Sequence, residues 1–120
     1  MASEFFVNNG IVQIRLFDDV DAFDLMEVHQ STSFLELVRE YKHVLYDYSG
    51  ANVITLTESD ARSFAKLATI ESQITPELVI GVIPKDDAHK KGSEFYRELA
   101  VAGGARVVIV DSVYAFLAAL

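Results

Sequence analysis

Apolar positions along the chain gather into three short, nearly continuous runs separated by stretches of helical spacing. The runs are Val44-Leu45-Tyr46-Asp47, Leu78-Val79-Ile80-Gly81-Val82-Ile83-Pro84 and Val107-Val108-Ile109-Val110-Asp111. A continuous Val/Ile/Leu run suits a strand buried on both faces, and helices between such strands form the parallel crossover pattern. Ahead of them, Phe5-Phe6-Val7 and Ile11 to Phe17 flank Asn8-Asn9-Gly10. Asn-Gly accepts the positive φ of a tight hairpin turn, so an antiparallel pair is expected there. Val12, Ile14 and Leu16 alternate with Gln13 and Arg15, leaving part of one strand face for water, as near a sheet edge.

Between these strands the spacing predicts helices. From about Val20 to Lys42, Phe23, Met26, Leu37, Val38 and Tyr41 are the inward positions. Ser31-Thr32-Ser33 interrupts that stretch, and Ser33 with Glu36 forms a capping-box pattern that would open a second helix. After the strand at 44–48, a loop is expected over Asn52 to Thr57. Thr57 and Asp60 then open a helix whose apolar stripe holds Ala61, Phe64, Ala65, Leu67, Ala68 and Ile70. Thr75-Pro76 ends it. The helix from about Ala88 to Ala102 should bury Phe95, Leu99 and Ala102 before Gly103-Gly104 stops it. Ser112 should cap a last short helix with Val113, Phe116, Leu117 and Leu120 inward. The predicted fold class is α/β: one domain over 1–120, with a mixed five-stranded sheet, an N-terminal antiparallel hairpin and parallel βα crossovers.

Composition narrows the function. With no cysteine in 120 residues, disulfides, thiolate catalysis and cysteine-held metal sites are excluded. Eighteen acidic against ten basic side chains give a net charge of −8, a field that repels nucleic acid. Lys85, Lys90 and Lys91 share their segment with Asp86 and Asp87, and the acidic stretch from Asp18 to Glu27 reads as a solvated turn. The start of the chain lacks the basic and apolar regions of a secretory leader, and no run reaches the ~20 apolar residues of a membrane span. A cytoplasmic location is the expectation.

Candidate chemistry sits at the carboxyl ends of the strands, where open α/β sheets bind ligands. Asp47, Lys85 and Asp111 lie there, and so would an aspartate phospho-acceptor or an enzyme site. Asp and Ser at strand ends are also ordinary turn formers and caps, which is the simpler account. A phospho-receiver arrangement of Asp18-Asp19 with Asp47 fails on order, because no further strand separates the acidic pair from the strand bearing Asp47. His29, His43 and His89 show no ligand spacing, and neither a metal site nor a cofactor motif is expected. Tyr46 and Tyr48 alternate with Asp47, so both rings share one face. They serve either as packing or, with Phe64 and the 52–57 loop, as the lining of an apolar ligand pocket.

The order of elements, the Asp47-Tyr48-Ser49-Gly50-Ala51 step at a strand end and the Ala/Leu-rich stretch from Ala115 to Leu120 together resemble a known group. They are similar to the SpoIIAA-like branch of the STAS fold, the anti-sigma-factor-antagonist type, with distant similarity to CRAL-TRIO lipid-binding domains. The resemblance covers nearly the whole chain. It implies a non-catalytic, bacterial-type regulatory or protein-interaction module with a protein partner, a second copy of the chain included. It also implies a phosphorylatable Ser/Thr at the helix after the central strand. Thr57-Glu58-Ser59-Asp60 stands where that family carries its Asp-Ser-Ser/Thr-Gly motif. Thr57 and Ser59, with Asp47 and Ser49 at the strand end, are therefore the switch candidates. A small apolar or amphipathic, lipid-like ligand is the alternative function.

Overall fold

The computed structural model describes residues 2–120; Met1, the start of the expected leaderless N-terminus, lies outside them. β1 (Ser3–Asn8) and β2 (Ile11–Asp21) form the expected antiparallel hairpin. Its two-residue turn, Asn9 and Gly10, has positive φ at both positions (55° and 76°), the pair of left-handed residues that matches strand twist. α1 (Ala22–His29) and α2 (Thr32–Tyr41) follow, then β3 (His43–Thr55), α3 (Glu58–Ile74), β4 (Val79–Ile83), α4 (Asp87–Ala102), β5 (Arg106–Ile109) and α5 (Val113–Ala119). The sheet runs β1-β2-β3-β4-β5, with every neighbouring pair after the hairpin parallel. The predicted fold class holds.

Two expected loops are strands. β2 continues through the acidic residues to Asp21, and β3 continues through Asn52 to Thr55, where the two pair with each other. Val20 is buried while Asp19 and Asp21 are exposed, so the acids occupy the wet face of an alternating strand. Register shifts on either side of Phe17-Asp18, with Asp18 at φ 55°, bend this ribbon. β4 pairs only with 43–47 of β3, so the ribbon's outer half extends past β4.

Helix phases also differ from expectation. Leu25 and Val28 are the buried positions of α1, while Phe23 is 72% exposed. α1 starts after Asp21, which forms a capping box with Asp24, and its buried positions fall two residues beyond the expected ones. α2 is capped by Ser31, not Ser33, and buries Phe34 and Val38. α4 buries Ser93 and Ala100; Ala102 is exposed, and Phe95 lies under the Arg62 guanidinium. Tyr96 and Leu99 of the same helix are partly buried against the core. Ile70 and Leu120 are exposed too. The Thr57–Asp60 capping box and the Ser112 cap stand as expected.

The two sheet faces are covered unequally. One carries α1, α2, α3 and α4 over the main core of Val12, Ile14, Leu16, Val44, Ile80 and Val82. The other carries α5, whose Phe116 is fully buried against Ile11, Leu45 and Ile83. α3 packs along α4 and contributes Ala65 and Ala68 to the main core.

Candidate functional site

The gap under α3 is a cavity of about 930 Å³. Its floor is the face of β3 and β4 that bears Val44, Tyr46, Tyr48, Ile80 and Val82, and its walls come from α1, α2, α3, α4 and the outer half of β3. Alternation along β3 is what sends Tyr46 and Tyr48 to this face, and the α3 stripe brings Phe64 over them. Most of the lining is apolar, with a few polar groups, the usual makeup of a small-molecule site.

His29 occupies the α1 end of the cavity within an aromatic box. Its ring centroid lies 5.8 Å from Phe34, 6.0 Å from Tyr46 and 5.6 Å from Phe64, and its plane is nearly parallel to that of Tyr46. Nδ1 lies 2.8 Å from the Leu25 carbonyl, so Nδ1–H donates there. Nε2 then accepts from the Tyr46 hydroxyl at 2.9 Å. Burial lowers the His29 pKa, against smaller upward pulls from the Leu25 carbonyl and Glu71, and this keeps the ring neutral.

His89 holds the opposite end. Its Nδ1 accepts from the Lys85 backbone N–H at 3.0 Å, leaving the proton on Nε2, and its ring lies 4.5 Å from that of Tyr48. Burial lowers its pKa as well; Asp86 opposes that shift and Lys85 adds to it. Burial pushes the phenols of Tyr46, Tyr48 and Tyr96 well up, so all three stay protonated.

Charged side chains stand around these groups. Arg39 binds Glu71 through two hydrogen bonds of 3.1 and 3.3 Å, and Lys85 Nζ lies 3.6 Å from Asp86. Val53, Ile70 and Ile74, each about half exposed, form an apolar part of the lining that meets solvent.

The sequence candidates therefore separate. Tyr46, Tyr48 and Phe64 meet in the cavity, with Thr57 and Lys85 also in its lining. Thr57 is engaged as the α3 cap, accepting from Asp60 N–H at 3.1 Å. Ser59 is exposed in the first turn of α3, outside the lining. Asp47 faces the other side of the sheet, where it accepts from Ser49 Oγ at 2.6 Å and from Gln13 Nε2 at 3.4 Å. Asp111 is exposed beyond β5, so Asp47, Lys85 and Asp111 do not share the cavity. Among the described residues no cluster of His, Asp and Glu suited to a metal ion occurs, and no helix is long and apolar enough to cross a membrane.

His29, His89 and Tyr96 are site residues that sequence reasoning passed over. His89, Ser93, Tyr96 and Ala100 follow helical spacing on one face of α4, a stripe hidden because two of its members are small and one is polar.

No protein-family model matches the sequence, and no curated protein is similar enough to count as a relative. Among solved structures, the anti-sigma factor antagonist SpoIIAA in its unphosphorylated form superposes with a TM-score of 0.56. The match covers 89% of this chain and 87% of that one at 12% identity. The fold is SpoIIAA-like. At that identity the SpoIIAA likeness extends to the fold alone. The resemblance read from element order is thus one of architecture, carried by different side chains.

Proposed function

We propose that the protein is a non-catalytic binding module that takes a small amphipathic molecule into the cavity under α3. The observation that carries this reading is the cavity itself, about 930 Å³ of mainly apolar and aromatic lining on a SpoIIAA-like frame. A concave, mostly apolar space with a few polar groups, partly open to solvent, is the usual form of a small-molecule site. Tyr46, Tyr48 and Phe64 supply aromatic surface, while His29 is already engaged by Tyr46 and Leu25 and acts as a brace.

Native mass spectrometry of freshly purified protein, beside a denatured spectrum, gives the first test. The expected result is extra mass that leaves on denaturation, together with uptake of the neutral dye Nile red. Ala68→Leu, which adds bulk to the lining, should weaken dye uptake at least tenfold. Bare polypeptide with no dye uptake would overturn the reading.

A second reading rests on the SpoIIAA-like architecture: a regulatory module that binds a protein partner, a second copy included. The same spectra test it, since a dimer mass, or a partner complex that forms equally well in Ala68→Leu, would favour it.

A further inference from the structure

The polar groups facing the cavity form a specific inventory. The Nδ1 of His89 is taken by the Lys85 N–H, so its Nε2 carries a proton with no acceptor among the described residues. The hydroxyls of Tyr48 and Tyr96 likewise meet no partner among the described residues. None of these three atoms is sealed in the packing, because the one buried side-chain atom without a partner among the described residues is Ser72 Oγ. All three residues line the cavity, which is the open space beside these donors. His29 offers no equivalent, with both ring nitrogens occupied.

Charge supplies the second constraint. The charged lining consists of Arg39, Lys85 and Lys91 against Glu58, Glu71 and Asp86, three of each sign. Arg39 is committed to Glu71 and Lys85 to Asp86. Lys91 and Glu58, the two left over, are exposed to solvent, so an ionised ligand group brought inside would lose its water with only a solvated counter-charge to meet. An uncharged acceptor keeps its hydrogen bonds and costs far less to desolvate.

We propose that the occupant is an uncharged apolar molecule with one hydrogen-bond-accepting group, a carbonyl or hydroxyl, seated against Tyr48, Tyr96 and His89. This deepens the cavity reading above and rests on it. The high-lying phenol and low-lying imidazole pKa values agree with it, since they keep all three groups as neutral donors near pH 7.

A matched series of twelve-carbon competitors against Nile red on the full chain tests this. The series is dodecane, 2-dodecanone, dodecanoate and dodecylammonium. The ketone should bind about tenfold more tightly than dodecane, the worth of one or two net hydrogen bonds, and more tightly than either ion. In the near-isosteric Tyr48→Phe/Tyr96→Phe protein that advantage should fall to about twofold or less, with dodecane unchanged. Dodecanoate or dodecylammonium binding ahead of the ketone would overturn the proposal while leaving the cavity reading intact. A ketone no better than dodecane in the wild-type chain, which needs no variant, would do the same. Failure of the dye itself to bind would instead overturn the cavity reading.

Discussion

At Gly81, β4 passes so close beneath α5 that a side chain has no room. A Cβ there would stand 2.5 Å from the Phe116 ring and 2.8 Å from Leu45 Cδ1, both fully buried. Here glycine serves close approach, since its φ is not in the left-handed region. Gly81→Ala should cost about 1–3 kcal/mol in urea denaturation, the usual penalty for overpacking. Pairing it with Phe116→Leu should recover part of that loss, because the ring is the obstacle. The cavity lies across the sheet, so dye uptake by folded Gly81→Ala should match wild type. The sequence displays this glycine inside an apolar run but says nothing of its neighbour, since Phe116 lies 35 residues away and meets it only through the fold.

Among the elements, strands were easier to read than helix faces. The three apolar runs announced β3, β4 and β5 because strands buried on both faces need nothing else. Tyr46, Tyr48 and Phe64 were legible for a related reason: alternation and a helical stripe place them without knowledge of distant contacts. His29, His89 and Tyr96 were not, since their part depends on how α1 and α4 are rotated. Asp21 opens α1 through a capping box, and α4 turns Ser93 and Ala100 inward. The extension of β2 was hidden by acidic residues that solvate one face of a paired ribbon, and that of β3 depends on its pairing with β2. For α3, the Thr57–Asp60 box satisfies two backbone donors, with bonds of 3.1 and 2.9 Å. Thr57→Ala should therefore cost about 1 kcal/mol of stability by thermal or urea unfolding, while Thr57→Ser should cost much less.

For the molecule as a whole, the two cavity histidines tie stability to pH. Both have folded-state pKa values below the ordinary 6.5, chiefly through burial. The unfolded chain takes up their protons first as pH falls, so their contribution is complete above about pH 7. It declines below the unfolded value of about 6.5 until the folded pKa is reached. Urea midpoints should fall between pH 7.5 and 5.5, with a slope no steeper than about 1.4 kcal/mol per pH unit for each histidine. His29→Leu should flatten the profile. Asp86, held low mainly by the His89 backbone N–H, acts in a separate, more acidic window, losing its contribution only as pH falls below the ordinary carboxylate range.

Because the cavity lies between part of α3 and the face of β3 and β4, the chain presents two layers, the sheet and the α3–α4 pair above it. Amide hydrogens of β3 and β4 should exchange only when the whole core opens, whereas those of residues 58–74, held by the α4 seam, Ala65, Ala68 and the Arg39–Glu71 pair, should exchange sooner. An occupant touching both Phe64 above and Tyr48 below would join the layers into one block. Its binding free energy would then be stored as slower exchange along α3, the segment that must yield for the molecule to enter or leave.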